Sequence, residues 1–141
     1  MSMYPEDHTD EDDDGTMPEN IEELANAVVG HRIVSAEQRD VPGQYWPRAK
    51  ALVLTLDNGT EVQLADTYDC CALTSLQAFL LHPERVDHII TGVASTDGYT
   101  RWHIFADMGD VLELEVDWSA GNPFYYCYGF TISVIVLEET P

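Results

Sequence analysis

Positive charge is scarce in this chain. Six Lys and Arg residues face 26 Asp and Glu, giving a formal net charge of −20 over 141 residues. Membrane surfaces and nucleic acids are anionic, so direct binding to either is disfavoured. Long hydrophobic runs are also missing: none approaches the ~18–20 apolar residues that a membrane-spanning helix needs. The opening stretch MSMYPEDHTDEDDDG has neither the basic nor the apolar region of a signal peptide. A cytosolic, reducing setting is therefore expected, with the three cysteines as free thiols. The sequence contains no GxSxG, no P-loop, no GxGxxG and no HExxH. No catalytic residue and no cofactor is assigned on this basis, and the expectation is that the protein is not an enzyme.

What is present is unevenly distributed. Residues 1–23 hold ten of the acidic residues and no Lys or Arg. Residues 1–15 offer almost nothing apolar to bury and are expected to form a disordered acidic arm. Residues 16–141 then read as one α+β domain, and a hydrophobic content of 45% can fill its core. A helix is expected first. TMPE has the capping-box pattern, with Thr16 and Glu19 three residues apart, and Ile21, Leu24, Ala25 and Val28 recur at helical spacing. Gly30 suits the helix stop.

Beyond Gly30 the period changes to two. RIVSAEQRD reads as a strand and VPGQYWP as a loop. ALVLTLDNGTEVQLA reads as a hairpin, with Leu52, Leu54 and Leu56 alternating before DNGT and Val62 and Leu64 after it. LTSLQAFLLHP has helical spacing and a second capping-box pattern, Thr74 with Gln77, ahead of His82-Pro83; it is expected to be a short helix. RVDHIITGVAST and YTRWHIFAD read as strands joined through Asp97-Gly98. VLELEVDW alternates strictly, and FYYCYGFTISVIVLEE reads as a long last strand with a bulge at Gly129. These elements predict a mostly antiparallel, strongly curved or partly barrel-like sheet of six or seven strands with two short helices.

Three groups of residues are candidates for function. Adjacent Cys70 and Cys71 do not readily bond to each other, because neighbouring side chains diverge. Zinc would need Cys70, Cys71, Cys127 and one of His82, His88 or His103, without any CxxC or HxxxH spacing to support it. A reactive thiol would need a cationic neighbour, whereas Asp69 is adjacent. Core packing is the expected role, and no metal is expected. In VLELEVDW, Glu113, Glu115 and Asp117 fall on one strand face, ~6.7 Å apart in succession. That row fits a basic partner surface, a DNA-like charge array, or an ordinary solvated face. GNPFYYCYGF concentrates five aromatics in ten residues, and Tyr125 and Tyr126 are candidate partner-binding side chains beside those acids.

With these pieces in place, the chain resembles a family of small uncharacterised domains found mainly in actinobacterial phages. The likeness rests on LVLTLDNGTEVQLADTYDCCA, YTRWHIFADMGDVLELEVDW and GNPFYYCYGFTISV, and covers roughly residues 28–137. Asp69-Cys70-Cys71 and Tyr125-Tyr126 are its more specific features. SAGNPFYYCYGF departs from it, replacing a Ser-Asn-Gly-Tyr-Tyr type of segment. The resemblance implies a phage origin and supplies no activity. The resulting expectation is a non-catalytic acidic protein in the host cytoplasm. It would bind a host protein with a basic surface, in one form as a DNA mimic. A virion decoration or minor structural protein, and a metal-dependent enzyme, are the alternatives.

Overall fold

The computed structural model describes residues 16–41, 49–68, 73–119 and 129–136. Helix α1, Thr16–Val28, opens the described chain, with Leu24 and Val28 fully buried. It ends where expected: Gly30 takes a φ of 90°, a left-handed conformation that glycine adopts without a Cβ clash.

Among the described residues, nine antiparallel strands follow in two sheets. The first sheet has the order β1-β2-β3-β9, built from Ile33–Val41, Ala49–Leu56, Thr60–Ala65 and Thr131–Val136. The second has the order β4-β5-β8-β7-β6, from Thr67–Tyr68, Leu73–Leu81, Gly109–Ser119, Arg101–Ala106 and Gly92–Thr96. Leu52, Leu54, Leu56, Val62 and Leu64 of the first sheet share one core with Trp102, Ile104, Leu112, Leu114 and Val116 of the second. Helix α1 packs on β6 and β9, one terminal strand from each sheet among the described residues, and so bridges the sheets along one side. Among the described residues the sheets do not close into a barrel.

The hairpin expected around Asn58-Gly59 is β2–β3, with Leu54 opposite Val62 and Leu52 opposite Leu64. The expected strand count is exceeded, and one expected helix is absent. Leu73–Leu81 is a strand, paired with β8 from Leu73↔Ser119 to Leu81↔Leu112. Its register shifts between Leu76 and Ala78, so Gln77 is an extra, bulged residue. Leu76 and Phe79 consequently both reach the core although they are three residues apart. A bulged strand thus imitates the three-residue spacing of a helix.

Two further corrections concern the strands. Within RVDHIITGVAST only Gly92–Thr96 is a strand; Pro83–Arg85 is a single 3₁₀ turn. Ile90 instead exchanges backbone hydrogen bonds with the end of the helix. Its carbonyl accepts from Gly30 N–H and its N–H donates to the His31 carbonyl, both at 2.9 Å. The final strand, β9, begins after Gly129, which takes a φ of 64°. The acidic arm, residues 42–47 of VPGQYWP, Cys70, Cys71, Cys127, Tyr125 and Tyr126 lie outside the described residues, whereas Val41, expected in that loop, ends β1.

The chain passes from the first sheet to the second at Asp66. Its carboxylate accepts the Leu76 N–H at 3.1 Å, beside the bulge. Burial pushes the Asp66 carboxyl above its ordinary value of 3.8, opposed by the Leu76 hydrogen bond and Lys50. Glu61, on β3, moves the other way from 4.5. Hydrogen bonds from Gln63 and Arg39 hold it down against its own desolvation.

These shifts act on stability with opposite signs. The depressed Glu61 contributes stability that is present above 4.5 and is lost as pH falls through its folded value. For Asp66, the advantage of the protonated form is complete below 3.8 and is lost as pH rises through the raised value. Glu61→Gln is therefore expected to lower the urea midpoint at neutral pH, and Asp66→Asn to raise it. Both differences should shrink in acid. Equal midpoints for the two variants at neutral pH would contradict this assignment.

Candidate functional site on the outer face of the second sheet

Strand alternation divides β7 between two environments. Trp102 and Ile104 enter the core, while Arg101 and His103 project to the opposite face. On β8, Leu112, Leu114 and Val116 are buried, and Glu113, Glu115 and Asp117 occupy the outer face. The three acids singled out from the sequence therefore do share a face, but they do not form a bare acidic row. Arg101 Nη1 donates to Glu113 Oε1 at 3.5 Å and Arg101 Nη2 to Glu115 Oε1 at 3.4 Å. His82 Nε2 lies 2.6 Å from Glu113 Oε2. Glu115 and Asp117 are exposed, whereas Glu113 is half-buried.

A further carboxylate, Asp110, enters this face through an irregularity in the β7–β8 hairpin. Asp107-Met108 is the two-residue loop, so Ala106 opposes Gly109 and Phe105 opposes Asp110. The register then shifts, and Ile104 opposes Leu112. Val111 is the extra residue. Without it, counting back from the loop would set His103 opposite Leu112; with it, His103 stands opposite Glu113. His103 Nδ1 is 3.0 Å from Asp110 Oδ2. Its Nε2 is 3.0 Å from the Thr96 hydroxyl on β6. The His103 and Asp110 side chains are only 7% and 12% exposed, which makes this a largely desolvated pair on the outside of a sheet.

Ligand atoms of His103, Asp110 and Glu113 all lie within 4.8 Å of one another, and no other such grouping of three occurs among the described residues. Asp110 is not among the candidates that the sequence alone offers, because it falls between YTRWHIFAD and VLELEVDW rather than within either. The usable signal is the hairpin itself: a two-residue loop folds back residues that are only seven positions apart, His103 and Asp110. A cleft of about 230 Å³ is lined by Gln77, Asp97, Thr100, Arg101, Glu115 and Val116, and includes none of His103, Asp110 and Glu113.

The chain belongs to the family described as a domain of unknown function, DUF7448, which matches residues 26–132. That span begins inside α1 and ends inside β9, and it contains the whole outer-face cluster. Comparison with curated proteins and with solved structures returns no match. No helix among the described residues is long and apolar enough to cross a membrane.

Proposed function

We propose that this DUF7448 domain is a non-catalytic, phage-type acidic protein that binds a host protein with a basic surface in the host cytoplasm. The observation that carries this reading is the strand β9. It is the last strand of its sheet among the described residues, and Thr131–Val136 contains no charge in a chain of net −20. Val134 and Val136 oppose Val62 and Thr60, on the face that continues the core, yet they are 53% and 71% exposed. An uncharged edge of this kind is a template for a further strand.

Charge and edge divide the work. Opposite charge raises the encounter rate, and the paired strand with its apolar side chains slows release. Glu115 and Asp117 supply exposed rim acids. Tyr125 and Tyr126, a few residues ahead of β9 in the chain, are the aromatic anchors in this reading. Arg101 between Glu113 and Glu115 interrupts the run of like charge that DNA mimicry requires, so recognition of a basic protein surface is the better-supported form.

Immobilised full-length protein is expected to retain a host protein that elutes as salt rises, because the Debye length is only about 8 Å at physiological ionic strength. The double variant Val134→Lys, Val136→Lys changes exposed positions and should weaken capture about tenfold or more. Undiminished capture by that variant, or capture indifferent to salt, would refute the reading.

A further inference from the structure

We propose that His103, Asp110 and Glu113 form a binding site for one divalent transition-metal ion of the Zn²⁺ or Mn²⁺ type, with His82 and Thr96 holding the ligands in place. One imidazole and two carboxylates are a donor set that suits such ions. The placement is rigid. His103 and Glu113 face each other across a strand pair, and the Val111 bulge brings Asp110 to the same side. Ligands ~2.0–2.2 Å from a tetrahedral ion stand roughly 3.3–3.6 Å apart. His103 Nδ1 and Asp110 Oδ2 are at 3.0 Å, and all three groups lie within 4.8 Å, so side-chain adjustments of about an ångström close the site.

The hydrogen bonds around the cluster accommodate the exchange. Without an ion, a neutral His103 carries its proton on Nδ1, donates to Asp110, and accepts at Nε2 from the Thr96 hydroxyl. With an ion on Nδ1, the single ring proton resides on Nε2 and donates to the same hydroxyl, so no net proton is lost. Thr96 serves both forms because a hydroxyl both donates and accepts. Such outer partners fix ring orientation at metal sites. His82 holds one Glu113 oxygen at 2.6 Å and steadies that carboxylate. Arg101 opposes a cation here, but its contacts to Glu113 and Glu115 are long and equivalent, and Glu115 retains it when Glu113 turns to the ion. Asp110, Glu113 and Glu115 outnumber that one guanidinium, which leaves the neighbourhood favourable to a cation.

The site differs from any cysteine-based one, and its test must separate the two. Full-length protein is titrated calorimetrically with ZnCl₂ and with MnCl₂, in excess Mg²⁺ to occupy weak carboxylate sites. One equivalent is expected to bind in the wild type and in the Cys70→Ser, Cys71→Ser, Cys127→Ser variant. Affinity should fall at least tenfold in Asp110→Asn and in Glu113→Gln, each checked for folding by circular dichroism. Nitrogen NMR of the imidazoles should show the His103 proton passing from Nδ1 to Nε2 as Zn²⁺ is added. Binding unchanged in both carboxylate variants would overturn the site. So would a single equivalent lost only with the cysteines, or a His103 tautomer indifferent to Zn²⁺. None of these readouts involves β9 or a partner, so the site can fail while partner binding stands, and the reverse.

Discussion

Trp102→Ala is expected to lower the free energy of unfolding by about 3–5 kcal/mol. The side chain is fully buried at the centre of the core shared by both sheets. Its ring meets Phe130 edge-on at 5.3 Å, which links β7 to the residue that leads into β9. Its Nε1 donates to the Tyr99 carbonyl at 2.9 Å. Tyr99 adopts a φ of 63°, a left-handed conformation unfavourable for an aromatic residue, and is itself buried against Trp118. Truncation would therefore remove packing and also loosen a turn that local sequence does not favour. Trp102→Phe separates the two effects: most of the volume remains and the hydrogen bond is lost, for about 1–2 kcal/mol. Total stability of domains this size is only about 5–15 kcal/mol, so the alanine variant approaches the margin of folding. Urea denaturation measures both. A loss below about 1.5 kcal/mol for Trp102→Ala would show that the core can collapse around the missing ring, contrary to the packing described.

The second large effect is expected at Asn20. This residue is 5% exposed on α1, and its amide does what a neighbouring strand would do. Nδ2 donates to the Phe130 carbonyl and Oδ1 accepts the Phe130 N–H, both at 2.9 Å. Asn20→Ala would leave a buried donor and a buried acceptor without partners, for about 2–4 kcal/mol. Asn20→Asp keeps the acceptor but sets a carboxylate oxygen against the Phe130 carbonyl, and should be at least as damaging. Gly129 belongs to the same arrangement. At its φ of 64° an added Cβ would lie 2.7 Å from the Asn20 side chain, so Gly129→Ala would be both strained and crowded. Amide exchange gives the decisive measurement. Protection of the Phe130 N–H should fall selectively in Asn20→Ala, and retained protection there would remove the basis for this role.

These contacts mark the limit of what was legible in the chain. The β2–β3 hairpin could be read because its alternation and its Asn-Gly turn are neighbours in sequence. Helix α1 could be read because its apolar spacing and its glycine stop are local. Strand β5 could not. The spacing of Leu73, Leu76 and Phe79 fits a helix, and only pairing with β8, some thirty residues later, imposes an extended backbone with a bulge at Gln77. Local propensity is worth tenths of a kcal/mol per residue, and a full ladder of pairs beside a buried core outweighs it.

The same division governs function. Composition alone determined the net charge of −20, the scarcity of cations and the lack of any familiar catalytic motif. Alternation alone placed Glu113, Glu115 and Asp117 on one face. Tertiary structure decided what those acids meet. Arg101 lies across from Glu115, His82 arrives from the end of β5, and one extra residue, Val111, sets His103 against Glu113 with Asp110 alongside. The residues alone do not fix where such a register shift falls, because a bulge is defined by how two strands pair. Exposure of β9 is likewise a property of sheet order. TISVIV reads as part of a long last strand, and its place beyond β3, last in its sheet among the described residues, leaves Val134 and Val136 exposed.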